Sequence, residues 1–242
     1  MKTIIEYLMY HTIEYYALIG IIGLIIGSFL NVIIHRLPII LSRQLKAECY
    51  DYLNLRKPKE FKSIEKLGLL FPGSRCPKCK HKIAAWQNIP LISYVILAGK
   101  CFYCKKRISF RYPAIEALTT VLSIIVAWHF GVTVLAILAL ILTWVLIAQT
   151  FIDIDHKIIP DELTIPFIWL GLIFSYYSLG FVNLNQAFLG AVWGYASLFI
   201  IYETFKLVTK KDGMGFGDFK LFAMLGAWLG WQMLPQILLN ST

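Results

Sequence analysis

Six runs of apolar residues, each bounded by polar or charged positions, organise this chain. They lie near Tyr16–Ile34, Ala114–Phe130, Val132–Phe151, Ile165–Phe181, Leu189–Phe205 and Phe219–Leu239. A helix crosses a bilayer with roughly 20 apolar residues, and these runs approach or reach that length. The last is the least regular, since Lys220 and Gln232 interrupt it. The pattern predicts an all-α polytopic membrane protein of about six spans. A polar insert, residues 35–112, separates the first span from the second. The expected organisation is a first transmembrane helix (1–34), a cysteine-bearing insert (35–112) and a membrane core (113–242). Within the insert, Leu45–Lys66 is charged and mixed, and reads as a short helix or an irregular stretch. No repeat of fixed period and no low-complexity tract stands out.

Composition agrees with the pattern. Hydrophobic residues make up 58% of the chain and charged ones 15%, which removes it from the ordinary soluble class. Met1–Tyr16 carries Glu6 and Glu14 and lacks a small-residue cleavage site, so the first run is expected to remain as a helix and not to be a cleaved signal. The net charge of +9 could suggest a nucleic-acid partner, but its distribution argues for topology. The insert holds 17 of the 23 Lys and Arg residues, against the acids Glu48, Asp51, Glu60 and Glu65. Basic loops stay in the cytoplasm. Alternation from a cytoplasmic insert places the N-terminus outside. It puts the 153–164 and 206–217 loops inside, with Lys157, Lys206, Lys210 and Lys211, and leaves only Lys2 outside. No nucleic-acid role is expected.

Two Cys-x-x-Cys pairs, Cys76/Cys79 and Cys101/Cys104, have 21 residues between them. Each pair offers two thiolates from one turn, and two pairs complete a tetrahedral zinc site of the structural kind. Lys78, Lys80, Lys82, Lys105, Lys106 and Arg107 surround them and favour thiolates. Disulfides are the alternative, and a cytoplasmic setting opposes them. Redox activity is the other, and a closed four-sulfur site fits the paired spacing better. Cys49 reads as a free thiol and His81 as a surface residue.

Ionisable residues at membrane depth default to a functional reading. Asp153 ends the third run and Asp218 precedes the sixth; span counting brings both to the same side at similar depth. Two neighbouring carboxylates share a proton, so that one can act as base and the other as acid on a peptide carbonyl. Gly213, Gly215 and Gly217 remove side chains ahead of Asp218 and are read, with Lys220, as a substrate-approach motif. Each aspartate could singly be an interfacial or capping residue; their matched sidedness favours chemistry. Asp155, Asp161 and Asp212 read as supporting or capping residues.

The ordered set Gly27-Ser-Phe-Leu-Asn31-Val-Ile-Ile-His-Arg36-Leu-Pro38, the cysteine pairs, Asn88-Ile-Pro-Leu-Ile-Ser93, Gly99-Lys100-Cys101, Arg111-Tyr-Pro113-x-x-Glu116, the Asp153 segment and Gly215-Phe-Gly217-Asp218 resembles the bacterial type IV prepilin peptidases. These leader peptidase/N-methyltransferases are membrane aspartyl proteases with a Gly-x-Gly-Asp motif. The resemblance implies cleavage of the basic leader of type IV prepilins or type II secretion pseudopilins at the cytoplasmic face of the inner membrane. It further implies methylation of the new N-terminus with S-adenosylmethionine. By motif position it implies Asp153 and Asp218 as the catalytic pair, and it links Gly99 and Lys100 to methyl transfer. It also implies further apolar sequence beyond the sixth span, whereas this chain stops at Asn240-Ser241-Thr242; a missing segment there would weaken packing beside Asp218. Two other readings are a peptidase-dead or methyltransferase-only form, and a non-enzymatic zinc-ribbon membrane scaffold or transporter. The broken, repeat-related helices of many transporters are not evident.

Overall fold

The computed structural model describes residues 12–55, 68–69, 71–76, 78–211 and 213–241. Lys2, Glu6 and Asp212, and the whole of the 56–66 stretch with Glu60 and Glu65, lie outside the described residues. The helices are α1 (Thr12–Tyr52), α2 (Ile92–Ile96), α3 (Arg111–Phe130), α4 (Val134–His156), α5 (Asp161–Tyr176), α6 (Leu184–Thr209), α7 (Phe216–Leu229) and α8 (Leu234–Ser241). Among the described residues there is no strand, only the isolated bridges Arg75–Lys82 and Lys100–Arg107.

Helix stands at each of the six predicted places, and α1, α3, α4 and α6 are long and apolar enough to cross a membrane. Two differences from the sequence pattern are physical. Helix α1 does not stop where its apolar run stops. It has 41 residues, about 62 Å of helix, because Leu, Arg, Gln, Lys, Ala and Glu after Leu41 are good helix formers that carry it on as a polar rod. The run Phe219–Leu239 is not one helix. Gly230 has φ 81° and ends α7 at Leu229, after which Trp231–Met233 forms a 3-10 turn before α8.

Helix ends follow local chemistry. The Thr133 hydroxyl accepts from the Ala136 N–H at 3.1 Å, and the Asn183 side chain accepts from Gln186 at 2.9 Å, satisfying donors that a helix start leaves free. At the other ends of α4 and α6, Lys157 and Lys210 turn left-handed and donate to the carbonyls of Asp153 and Lys206.

The chain divides into two compact units. The first comprises Met1–Val132 with the middle of α4, Ala139–Ile152; the second comprises Thr133–Leu138 and Asp153–Thr242. In the first unit α1 and α3 meet through small residues. A Cβ on Gly23 or Gly27 would come within 2.9 and 2.8 Å of the α3 backbone at Thr120 and Glu116, the close approach small residues allow between membrane helices. Buried polar groups cross this seam with partners: Asn31 donates to the Tyr112 carbonyl at 3.1 Å, and the Ser28 hydroxyl reaches the Glu116 carboxyl.

In the second unit, Gly190 of α6 faces Gly226 of α7 backbone to backbone, and a Cβ on Gly194 would stand 2.7 Å from the Phe222 carbonyl. Trp228, almost fully buried, lies over Gly171 of α5 and donates to the Phe167 carbonyl at 2.8 Å. Phe219 is buried completely among the rings of Tyr195, Phe199, Tyr202 and Phe216, at 5.6–6.2 Å between centroids. That ring cluster fixes the start of α7.

Candidate active site and metal centre

Asp153 and Asp218 both belong to the second unit. Asp153 lies in the last turn of α4, just before the left-handed Lys157 stops the helix. Asp218 is the third residue of α7, whose first position outside the helix is Gly215. The Gly215 N–H reaches back to the Asp218 carboxyl, the arrangement in which an acid at the third position satisfies the N-cap donor. Phe219, the next residue, is the buried centre of the ring cluster, so the carboxyl is carried by a rigid helix start.

Asp218 lies just ahead of the apolar stretch and is exposed as a residue, yet atoms packed around its carboxyl desolvate it. Burial raises its pKa above the ordinary carboxylate range, and the negative charge of Asp153 raises it further. The Gly215 hydrogen bond pulls the other way without prevailing. The negative charge of Asp153 thus acts on Asp218.

The three glycines of the motif do different things. A Cβ at Gly213 would strike the Phe205 ring at 2.7 Å, and one at Gly217 would press on Ile159 at 3.0 Å. Both positions are filled by this chain's own packing. Only at Gly215 is there room, the nearest atom being the Asp218 Oδ2 at 3.8 Å. Lys220, read from sequence with the glycines, holds Asp161: its Nζ lies 2.8 and 2.7 Å from the two Asp161 carboxylate oxygens. Asp161 opens α5, directly after the Lys157–Pro160 connection that leaves α4. Sequence read Asp161 as a supporting or capping residue; Pro160 is the N-cap of α5 and has no side-chain cap bond, and the ion pair ties the start of α5 to that of α7. The spacing of an acid on one element and a base on another gave no sign of this.

The four cysteines come together in the first unit. Each pair rides on a copy of the same turn, 25 positions apart from Cys76 to Cys101. In the first, Cys76 N–H donates to the His81 carbonyl and Lys80 N–H to the Cys76 carbonyl. In the second, Cys101 donates to Lys106 and Lys105 to Cys101, with all four bonds at 2.9–3.0 Å. Lys80 and Lys105 take matching left-handed conformations, φ 60° and 56°. This local repeat of hydrogen bonding is also written in the side chains, since Lys80 and Lys105, Ile83 and Ile108, and the basic Lys82 and Arg107 stand at matching positions.

The Sγ atoms of Cys76 and Cys104 are 3.9 Å apart and those of Cys79 and Cys101 4.0 Å, with all four within 4.8 Å of one another. A tetrahedral ion with thiolates at about 2.3 Å separates its sulfurs by about 3.8 Å, so the set fits a metal ion. Backbone N–H of Cys79, and then of Lys78, hold the Cys76 thiol down to about 6, whereas Cys79, despite the His81 N–H, is pushed up to about 11 by desolvation and the neighbouring sulfurs. Cys49 is exposed on α1 and apart from the cluster, and the exposed His81 lies against Tyr103 with ring centroids 3.5 Å apart and planes tilted by 36°.

Gly99 and Lys100 lie at the entry of the second turn. Gly99 has φ 66°, and a Cβ there would meet the Tyr94 ring at 2.9 Å; its carbonyl accepts from Ile108 at 2.8 Å. Lys100 is exposed and bridges to Arg107. Asn31 and Glu116, present in the sequence motifs but given no role there, prove to be the buried polar links of the first unit.

Four helices long and apolar enough to span a membrane, two aspartates of which one is raised by the charge of the other, and, in the other unit, four sulfurs that could hold a metal ion are parts that a membrane-embedded peptidase can use. Residues 21–130 match the bacterial peptidase A24 N-terminal domain, and residues 140–242 match the type IV leader peptidase family. The chain belongs to the type IV leader peptidase family. It is 49% identical over 240 residues to the prepilin leader peptidase/N-methyltransferase of Pseudomonas aeruginosa, covering 99% of this chain and 81% of that protein. It is 49% identical over 225 residues to the protein of that name from Neisseria gonorrhoeae, covering 93% and 78%. It is 47% identical over 227 residues to that of Legionella pneumophila, covering 94% and 78%. No solved structure matches the chain.

Proposed function

We propose that this chain cleaves the leader of type IV prepilins or type II secretion pseudopilins, with Asp153 and Asp218 as the catalytic pair. The observation that carries the proposal is the pairing itself: the charge of Asp153 acts on an Asp218 already raised by burial. Asp218 is the partner that keeps its proton and Asp153 the base. Asp153 takes a proton from water as its oxygen attacks the scissile carbonyl, while Asp218 gives its proton to the carbonyl oxygen. The resulting gem-diol collapses as the C–N bond breaks: the departing amine takes the proton held by Asp153, and one gem-diol hydroxyl returns its proton to Asp218, which restores both aspartates. Gly215 leaves the space beside Asp218 for an extended substrate backbone, and Lys220 holds the start of α7 through Asp161.

The new N-terminus is then methylated with S-adenosylmethionine as methyl donor. The names of the relatives support this step, and Gly99 and Lys100 enter it by resemblance alone. The division into an insert of residues 35–112 and a catalytic core of residues 113–242 follows the same reading. The cysteine cluster holds Zn2+, which is closed by four sulfurs and supports the fold of the insert without entering peptide cleavage. The protein sits in the bacterial inner membrane with its N-terminus outside and its insert and aspartates toward the cytoplasm, as the crowding of Lys and Arg in the insert supports.

Asp153→Ala and Asp218→Ala, each reconstituted in vesicles with a prepilin bearing its leader, should lose cleavage while methylating a pre-cleaved substrate with labelled S-adenosylmethionine. Normal cleavage by either folded variant would reject the assignment.

A further inference from the structure

The stretch between the two cysteine turns is used by neither chemistry, and its surface is apolar. Helix α2 exposes Ile92 at 54%, Val95 at 76% and Ile96 at 70%. These side chains are held in place at both ends. At the start, the Leu91 N–H donates at 2.9 Å to Oε2 of Glu116, a buried residue more than one turn inside the spanning helix α3. At the end, Gly99 N–H donates to the Tyr94 carbonyl at 2.8 Å, and the Tyr94 ring packs edge-on to Phe110 at 6.4 Å. Phe110 is itself 72% exposed and immediately precedes α3.

The segment therefore cannot swing away from the polar end of α3. That helix carries an exposed apolar stripe of Leu118, Val121, Ile125 and Trp128, the face a spanning helix turns to lipid. Phe110 and the α2 side chains extend this surface past the helix start, and the exposed cations Lys100 and Arg107 lie on the adjoining cysteine turn. Apolar side chains beside basic ones, at the end of a span, are the composition of an element lying in the headgroup–acyl boundary.

We infer that α2 is an interfacial anchor: Ile92, Val95 and Ile96 insert into the phospholipid boundary and hold the second cysteine turn on the membrane surface. Because Gly99 closes that turn by accepting from Ile108, the metal cradle is fastened to the bilayer through α2.

The test places photoreactive p-benzoylphenylalanine at Val95, and separately at Ile96, in the full chain reconstituted in vesicles of phosphatidylethanolamine and phosphatidylglycerol. Ile125 in α3 serves as the lipid-facing control, and Lys80 on the first cysteine turn as the solvent-facing one. Irradiation should shift the mass of the Val95 and Ile96 variants by one phospholipid, as at Ile125, with no such shift at Lys80. Adducts at Val95 and Ile96 to another segment of this chain or to a second copy would overturn the inference. So would the absence of any lipid adduct at both positions while Ile125 gives one.

Discussion

Replacing Lys220 by methionine removes a cation that touches no substrate in the proposed mechanism, yet it should slow cleavage far more than it unfolds the protein. Lys220 meets both oxygens of Asp161 at 2.7–2.8 Å, with side chains 31% and 47% exposed. An ion pair so open contributes about 0.2–1 kcal/mol, which for a chain of this size moves Tm by no more than about 4 °C. The pair nonetheless ties the start of α7, and with it Asp218, to the connection that leaves α4 below Asp153. A displacement of about 1 Å in a reacting group costs on the order of 10²-fold in rate. Leader cleavage by Lys220→Met should therefore lose on the order of 10²-fold in kcat with KM little changed, and Lys220→Arg should keep most of the rate. Since the two residues act through each other, Lys220→Met combined with Asp161→Asn should be no slower than Lys220→Met alone. Losses that multiply in the double variant, or a wild-type rate in Lys220→Met, would refute the positioning argument.

Other outcomes follow from the same site. Gly215→Ala should fold with almost unchanged Tm, since no neighbour crowds a Cβ there, while its KM for prepilin rises; Gly217→Ala, pressing on Ile159, should instead lower Tm. The folded Asp218 carboxyl holds its proton more tightly than the unfolded one, so its favourable contribution is present below the ordinary carboxylate range and is lost as pH rises through the raised folded value. Thermal unfolding followed against pH should show this decline in wild type and a flatter profile in Asp218→Asn. In Asp153→Asn the Asp218 carboxyl, relieved of a neighbouring charge, should titrate lower by infrared spectroscopy. Stripping the metal with a chelator, or Cys104→Ser, should release bound zinc and open residues 74–108 to proteolysis while leaving the aspartate pair in place; a metal-free preparation with an equally resistant insert would contradict the structural role.

Much of this was legible from the chain. Long apolar runs define spans because lipid leaves few alternatives to a helix, and two Cys-x-x-Cys pairs define a cradle because four thiolates on two turns have one common solution. The aspartates were legible because carboxylates beside apolar runs are rare. What escaped was whatever depends on small local geometry. One glycine, Gly230, splits the last apolar run, and its left-handed φ cannot be told from the helical tolerance of Gly226 by pattern alone. The three motif glycines look alike in sequence, yet Gly213 and Gly217 face this chain's own side chains and only Gly215 faces open space. The Asp161–Lys220 pair, 59 positions apart, carries no periodic signal, and Glu116 reveals its partner only when Leu91 is brought to it.

The central claim is most directly tested by incubating the chain in vesicles with a prepilin carrying an intact leader, beside Asp218→Asn prepared in the same way, and reading the masses of the products. The account predicts cleavage at the leader junction by the wild type and none by the variant, whose side-chain amide cannot pass a proton to the carbonyl oxygen. Equal cleavage by both, or no cleavage by folded, zinc-loaded wild type, would contradict it.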